Sequence, residues 1–166
     1  AQEEKLAHDL YTEFAARYDD PVFDRIAASE TRHLEAFRNH LTRYGIADPT
    51  AGLAAGRFSD PTVQATYDRL LAEGLTGEPA ALGVGRTVET TDIADLRAAA
   101  EGLTAPDVQR VYQQLLSASQ QHLAAFGDLG VGELVEAGGG DVRDRREDAA
   151  HEVRTAGRDV FVGRRE

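Results

Sequence analysis

Glu30 and His33 stand three positions apart in the run Ile26-Ala27-Ala28-Ser29-Glu30-Thr31-Arg32-His33. Residues three apart on a helix are neighbours on one face, so the pair offers a carboxylate and an imidazole to one point in space. Such donors suit iron, manganese, magnesium or zinc better than copper(I). Glu-x-x-His alone is weak evidence, because it arises by chance in many helical chains. Its weight comes from similar residues elsewhere. Glu4 precedes Tyr11 by seven positions, and Glu89 stands seven after Leu82 and seven before Leu96. Asp92 follows Glu89 by three, His122 falls seven after Leu115, and Ser119 falls four after Leu115. At about 100° per residue, each lies in or beside an apolar stripe. An unpaired buried carboxylate is costly, and one or two divalent cations would neutralise several at once.

Helices must exist to impose these spacings. Leu6, Leu10, Phe14 and Tyr18, with Ala7 and Tyr11 beside them, predict a helix over residues 3–18. Asp20 as N-cap and Pro21 at the first helical position open a second, over 21–44, with the stripe Phe23, Ile26, Ala27, Leu34, Phe37 and Leu41; Gly45 closes it. The short link makes the two antiparallel. Residues 46–78 are punctuated by Pro and Gly and read as a long crossover, with Asp60-Pro61 opening a short helix to about Ala72. A third long helix spans 79–101 with Leu82, Gly85, Val88, Ile93 and Leu96 inward. Gly83 and Gly85 weaken its first half, by up to ~1 kcal/mol each, and could let another helix approach closely. Thr104, Pro106 and Asp107 start a fourth, ending near Phe126, with Val108, Val111, Tyr112, Leu115, Leu116, Leu123 and Phe126 as its stripe. The fold class is therefore all-α, an antiparallel four-helix bundle with a crossover carrying a short helix. Residues 1–126 form the bundle. Residues 127–166, rich in Gly and charge, read as a tail or an arm, and the charged run 141–154 is not assigned to the core.

Composition excludes some partners. The 166 residues carry 18 Lys and Arg against 29 Asp and Glu, a formal net charge of −11. Nucleic-acid binding is driven by Lys and Arg at phosphates, and anionic membranes also attract basic segments, so neither is expected. There is no Cys, which removes disulfides, thiolate zinc and iron–sulfur ligation. No apolar stretch reaches the length of a membrane span. The chain starts at Ala1-Gln2; a soluble protein is expected, cytoplasmic or exported after loss of a leader.

Four segments together resemble a known family: residues 3–11 (Glu3-Glu4-Lys5-Leu6-Ala7-His8-Asp9-Leu10-Tyr11), 26–33, 88–96 and 119–126. Asp48-Pro49, Gly56-Arg57-Phe58 and Tyr67-Asp68 add to the likeness. They are similar to an uncharacterised bacterial and archaeal domain family of the ferritin-like superfamily, over about residues 3–126. That resemblance implies a ferritin-like bundle in which two helices give one Glu each and two give Glu-x-x-His. Glu4, Glu89, and Glu30 with His33 match. On the last helix only His122 matches, because Ser119 stands where Glu is expected. Asp92 is read as the replacement carboxylate, giving the ligand set Glu4, Glu30, His33, Glu89, Asp92 and His122. The family usually has a second Glu where this chain has Thr90. Ferritins place a Tyr seven residues after the first-helix ligand, which favours Glu4 over Glu3 and gives Tyr11 an auxiliary role as hydrogen-bond partner or electron donor.

The expected function is that of a di-metal carboxylate protein holding two divalent ions, iron first and manganese or zinc as alternatives. Dioxygen or peroxide is the expected small-molecule substrate, in ferroxidase- or peroxidase-like chemistry. The alternatives are a metal-binding or storage protein without turnover, and a structural bundle with a degenerate site. A homodimer is compatible with the family. His8 is expected on the outer face of its helix, His40 near the stripe's edge and His151 in the tail. Arg32 and Arg86 are read as surface residues.

Overall fold

A computed structural model describes residues 1–128. Among them the chain is all-helical, without strands: α1 (Gln2–Arg17), α2 (Pro21–Arg43), α3 (Pro61–Gly74), α4 (Glu78–Ala100) and α5 (Pro106–Asp128). The expected tail, including the charged run 141–154, lies outside the described residues.

Local chemistry sets the helix ends. The Asp20 carboxylate accepts from the Val22 N–H, and Asp60 accepts from those of Thr62 and Val63; a proline follows each cap directly. These side chains satisfy first-turn donors that no helical carbonyl can reach. Gly45, at φ 66°, turns the chain out of α2, and the Ile46 N–H returns to the Leu41 carbonyl at 2.8 Å.

Most boundaries fall within one or two residues of expectation. One difference has a packing cause. Gly74, expected to punctuate the crossover, is the buried last residue of α3, and a Cβ there would lie 2.2 Å from Phe14 Cζ. It is a contact residue: the absent side chain lets the Phe14 ring lie against α3. Gly85 acts likewise, since a Cβ there would meet the Phe126 ring at 2.8 Å. That is the close approach its sequence position suggested. Gly83 has no such neighbour.

The long helices pack as a helical bundle, with α1 against α2 and α4 against α5, while α3 lies on α4 and α1. Two apolar clusters result. One gathers Leu10, Tyr11, Phe14, Phe23, Val84 and Phe126; the other gathers Leu96, Val108, Tyr112 and Leu115, with Phe37 packed on it. Along α2 the order is Phe23, Glu30, Phe37; along α4 it is Val84, Glu89, Leu96; along α5 it is Leu115, His122, Phe126. The polar residues thus form a layer between two apolar ones. No described helix is long and apolar enough to cross a membrane.

The loop before α3 is tied to α1 by a buried ion pair. Lys5 donates to Asp9 and to the Ala54 carbonyl (2.9 Å), and its ammonium sits 4.8 Å from the centre of the Phe58 ring. Asp9 also accepts from the Gly56 N–H at 2.8 Å and contacts His8 Nδ1 at 2.9 Å.

Candidate metal centre

Four helices bring five side chains into the polar layer. Glu4, Glu30 and His33 form one group of potential ligands and Glu30, Glu89 and His122 a second; within each group one donor atom per residue lies within 4.8 Å of the others. Glu30 belongs to both, and its two oxygens face different ways. Oε2 lies 2.9 Å from His33 Nδ1, while Oε1 lies 2.8 Å from His122 Nδ1. Outside Glu30, His33 Nδ1 is 3.2 Å from Glu4 Oε2, and His122 Nδ1 is 3.6 Å from Glu89 Oε2. The imidazoles stack at 22° with centroids 5.5 Å apart. Both therefore present Nδ1 to the same interior space. Tyr11, fully buried, donates to Glu89 Oε1 at 2.8 Å.

The electrostatics show a site short of positive charge. Burial pushes Glu4 up to about 7, against the hydrogen bond from His33 and with the repulsion of Glu30. Glu89 is raised by burial and by Glu30, against the pull of His122. Glu30 is buried too, but contacts with both imidazoles outweigh that and hold it down at about 2. The imidazoles move the other way: despite burial, Glu30 and Glu4 raise His33 to about 10, and Glu30 and Glu89 raise His122 to about 9. Opposite charges nearby favour ionised forms and like charges disfavour them. With three carboxylates and only two imidazoles, Glu4 and Glu89 are pushed toward their protonated forms. The geometry agrees. His122 Nδ1 is buried and held between two carboxylates, 2.8 Å from Glu30 Oε1 and 3.6 Å from Glu89 Oε2.

Asp92 lies outside both groups. Its Oδ2 accepts from Ser119 at 2.6 Å, and its Oδ1 is buried without a hydrogen bond. Ser119, where a Glu was expected, thus holds Asp92 instead of facing the two groups. Glu3, one residue before the expected ligand, points to this neighbouring region; burial and Asp92 push it up to about 8. His40 bonds the Ala36 carbonyl, and Arg86 donates to the Phe126 carbonyl at 2.9 Å. His8 is half-buried against Asp9, not turned fully outward.

Sequence reasoning missed Thr66 of α3, which lines a cavity shared with Glu4, Glu30 and Glu89. A signal existed: Val63, Thr66, Tyr67 and Leu70 make a helical stripe, and Thr66 is its polar member.

Comparison with known proteins bears on the same segment. The family described as an uncharacterized protein domain, DUF2202, matches residues 1–139. An uncharacterized protein of Methanocaldococcus jannaschii, MJ0754, is 37% identical over 125 residues, which cover 75% of this chain and 68% of the relative. The crystal structure of that hypothetical protein superposes with a TM-score of 0.77 and 31% identity, covering 91% of this chain and 85% of the other.

Proposed function

The chain belongs to the DUF2202 family, and we propose that it is a ferritin-like di-metal carboxylate protein, holding two iron ions and reacting with dioxygen or hydrogen peroxide. The observation that carries the reading is Glu30. One carboxylate with its oxygens directed to two separate ligand groups is the arrangement that bridges a pair of ions.

Glu4 and His33 would hold one ion, Glu89 and His122 the other, and Glu30 both. A pair of iron(II) ions in such a set supplies two electrons, enough, with two protons, to reduce hydrogen peroxide to two waters. The chain's residues prepare that chemistry. Tyr11 fixes one Glu89 oxygen and so orients the carboxylate. The apolar clusters on both sides lower the polarity around the layer, which strengthens the charge interactions within it. Asp92, with one oxygen held by Ser119 and the other unbonded, is a further buried carboxyl beside the pair, pushed well above its ordinary range by burial and by Glu4.

The test is anaerobic titration with iron(II), metal analysis, then exposure to oxygen or peroxide followed by absorbance. Two ions per chain and oxidation faster than that of free iron are expected. Two ions without acceleration would leave a metal-binding protein without turnover. No uptake would end the metal reading.

A further inference from the structure

Thr66 has an unusual hydroxyl. Five other helical threonines, Thr12, Thr31, Thr87, Thr90 and Thr91, donate to the carbonyl four residues earlier, at 2.7 to 3.1 Å. That internal bond is the ordinary resting place for a threonine in a helix. Thr66 is 1% exposed, and its Oγ1 has no hydrogen-bond partner. A buried hydroxyl left unbonded costs about 1–3 kcal/mol, so its position needs a reason.

The reason lies in what it faces. Thr66 lines a cavity between α1, α3 and α4, and the same cavity is lined by Glu4, Glu30 and Glu89. Leu6, Leu70 and Val88 supply apolar wall. Arg69, also on the lining, is exposed, so the cavity approaches the surface along α3. An occupant would therefore share one cavity with the metal-side carboxylates and the Thr66 hydroxyl.

Size narrows the occupant. The cavity has about 30 Å³ of room for water-sized molecules, where one water needs at least roughly 10–15 Å³ on that measure. It has room for small occupants such as waters or a molecule of two heavy atoms. Glu3 and Asp92 are on the lining too, so the wall is rich in carboxyl groups, and among them Thr66 offers an occupant an unengaged hydroxyl donor.

We propose that this cavity is the docking pocket for the O–O substrate of the metal centre, and that the Thr66 hydroxyl is its positioning hydrogen bond. The proposal rests on the di-metal reading and adds the route and a residue from α3, an element that contributes no metal ligand. Thr66→Val keeps the shape and removes the hydroxyl. Thr66→Leu fills the space.

The experiment uses the full chain. After iron(II) loading, the second-order oxidation rate is measured separately with hydrogen peroxide and with dioxygen. Thr66→Val should take up iron as the wild type does and melt at the same or a higher temperature, because the lost hydroxyl has no protein partner. Its rate should fall roughly two- to tenfold, one hydrogen bond's worth, with the oxidant that the pocket serves, and the affected arm identifies which oxidant that is. Thr66→Leu should be slowed further. Equal rates for all three proteins with both oxidants would overturn the proposal, as would a lower melting temperature for Thr66→Val, which would make Thr66 a structural residue. A second readout needs no metal. Crystals of metal-free wild type should show ordered solvent within about 3 Å of Thr66 Oγ1, and Thr66→Val should lack it. A dry pocket would overturn the proposal even if iron is bound and oxidised; failure of iron uptake would strike the di-metal reading, leaving the solvent to decide whether the pocket is a polar binding site.

Discussion

Two buried charged clusters begin side by side on α1, and they solve the problem of burial differently. Lys5 and Asp9 form a closed set: the ammonium meets Asp9, the Ala54 carbonyl and the Phe58 ring, and the carboxylate meets Lys5, His8 and the Gly56 N–H. These contacts outweigh burial and hold Asp9 below its ordinary range. Glu4, adjacent to Lys5 in sequence, enters an open set in which carboxylates outnumber imidazoles and Glu4 itself is pushed up to about 7. A buried charge answered by protein groups fastens a loop. A buried charge left over is a demand for something from outside, which the proposed function answers with a cation.

Substitutions should separate the two clusters. The largest effect is expected at Glu30. Glu30→Ala removes the residue common to both ligand groups, so iron uptake should fall from two ions per chain to none held tightly, read by metal analysis after gel filtration. Retention of both ions would break the contrast, because the open set would then not be the binding site.

Lys5→Met should do the reverse. It leaves Asp9 buried without its ammonium partner, which costs roughly 3–5 kcal/mol, read by urea denaturation of the metal-free protein. Iron stoichiometry should be unchanged at temperatures where the variant is folded.

The pH dependence of stability sharpens the comparison further. Glu4, with an ordinary value of 4.5 and about 7 in the fold, contributes fully below about pH 4.5 and loses that contribution as pH rises through 7. His33 and His122, raised from 6.5 to about 10 and 9, contribute below about 6.5 and lose it as pH rises through 9 to 10. Glu30, lowered to about 2, acts oppositely: its contribution is present above 4.5 and is lost as pH falls through 2. The melting temperature of metal-free protein should therefore decline from about pH 5 to pH 10. Metal-loaded protein should show a flatter curve over the same interval, since cations replace the protons and uptake releases them. Parallel curves with and without metal would count against the open set as ligands.

The smallest effect is expected from Tyr11→Phe. It deletes one hydrogen bond to Glu89 and should cost about 1 kcal/mol in stability, with iron stoichiometry kept and the oxidation rate lowered. Loss of an ion would promote Tyr11 from orienting Glu89 to holding the site together.

Much of this was legible in the residues. The Asp20-Pro21 and Asp60-Pro61 caps, the apolar stripes and the Gly45 stop locate helices because their causes are local: a missing hydrogen-bond partner, a fixed φ, a period of about 3.6 residues. The inward positions of Glu4, Glu30, His33, Glu89 and His122 follow from the same period. Four facts do not follow from it, since each depends on distances between helices. Glu30 faces two groups because α1 lies on one side of it and α4 and α5 on the other. Asp92 stands beside those groups because Ser119, across on α5, binds it. Gly74 is a contact position, and Gly85 meets Phe126 in particular, because aromatic rings arrive from other helices. Thr66 reaches the cavity because the crossover folds α3 back onto α1 and α4. Periodicity along one helix determines which way a side chain points; only the packing of helices determines what it meets there.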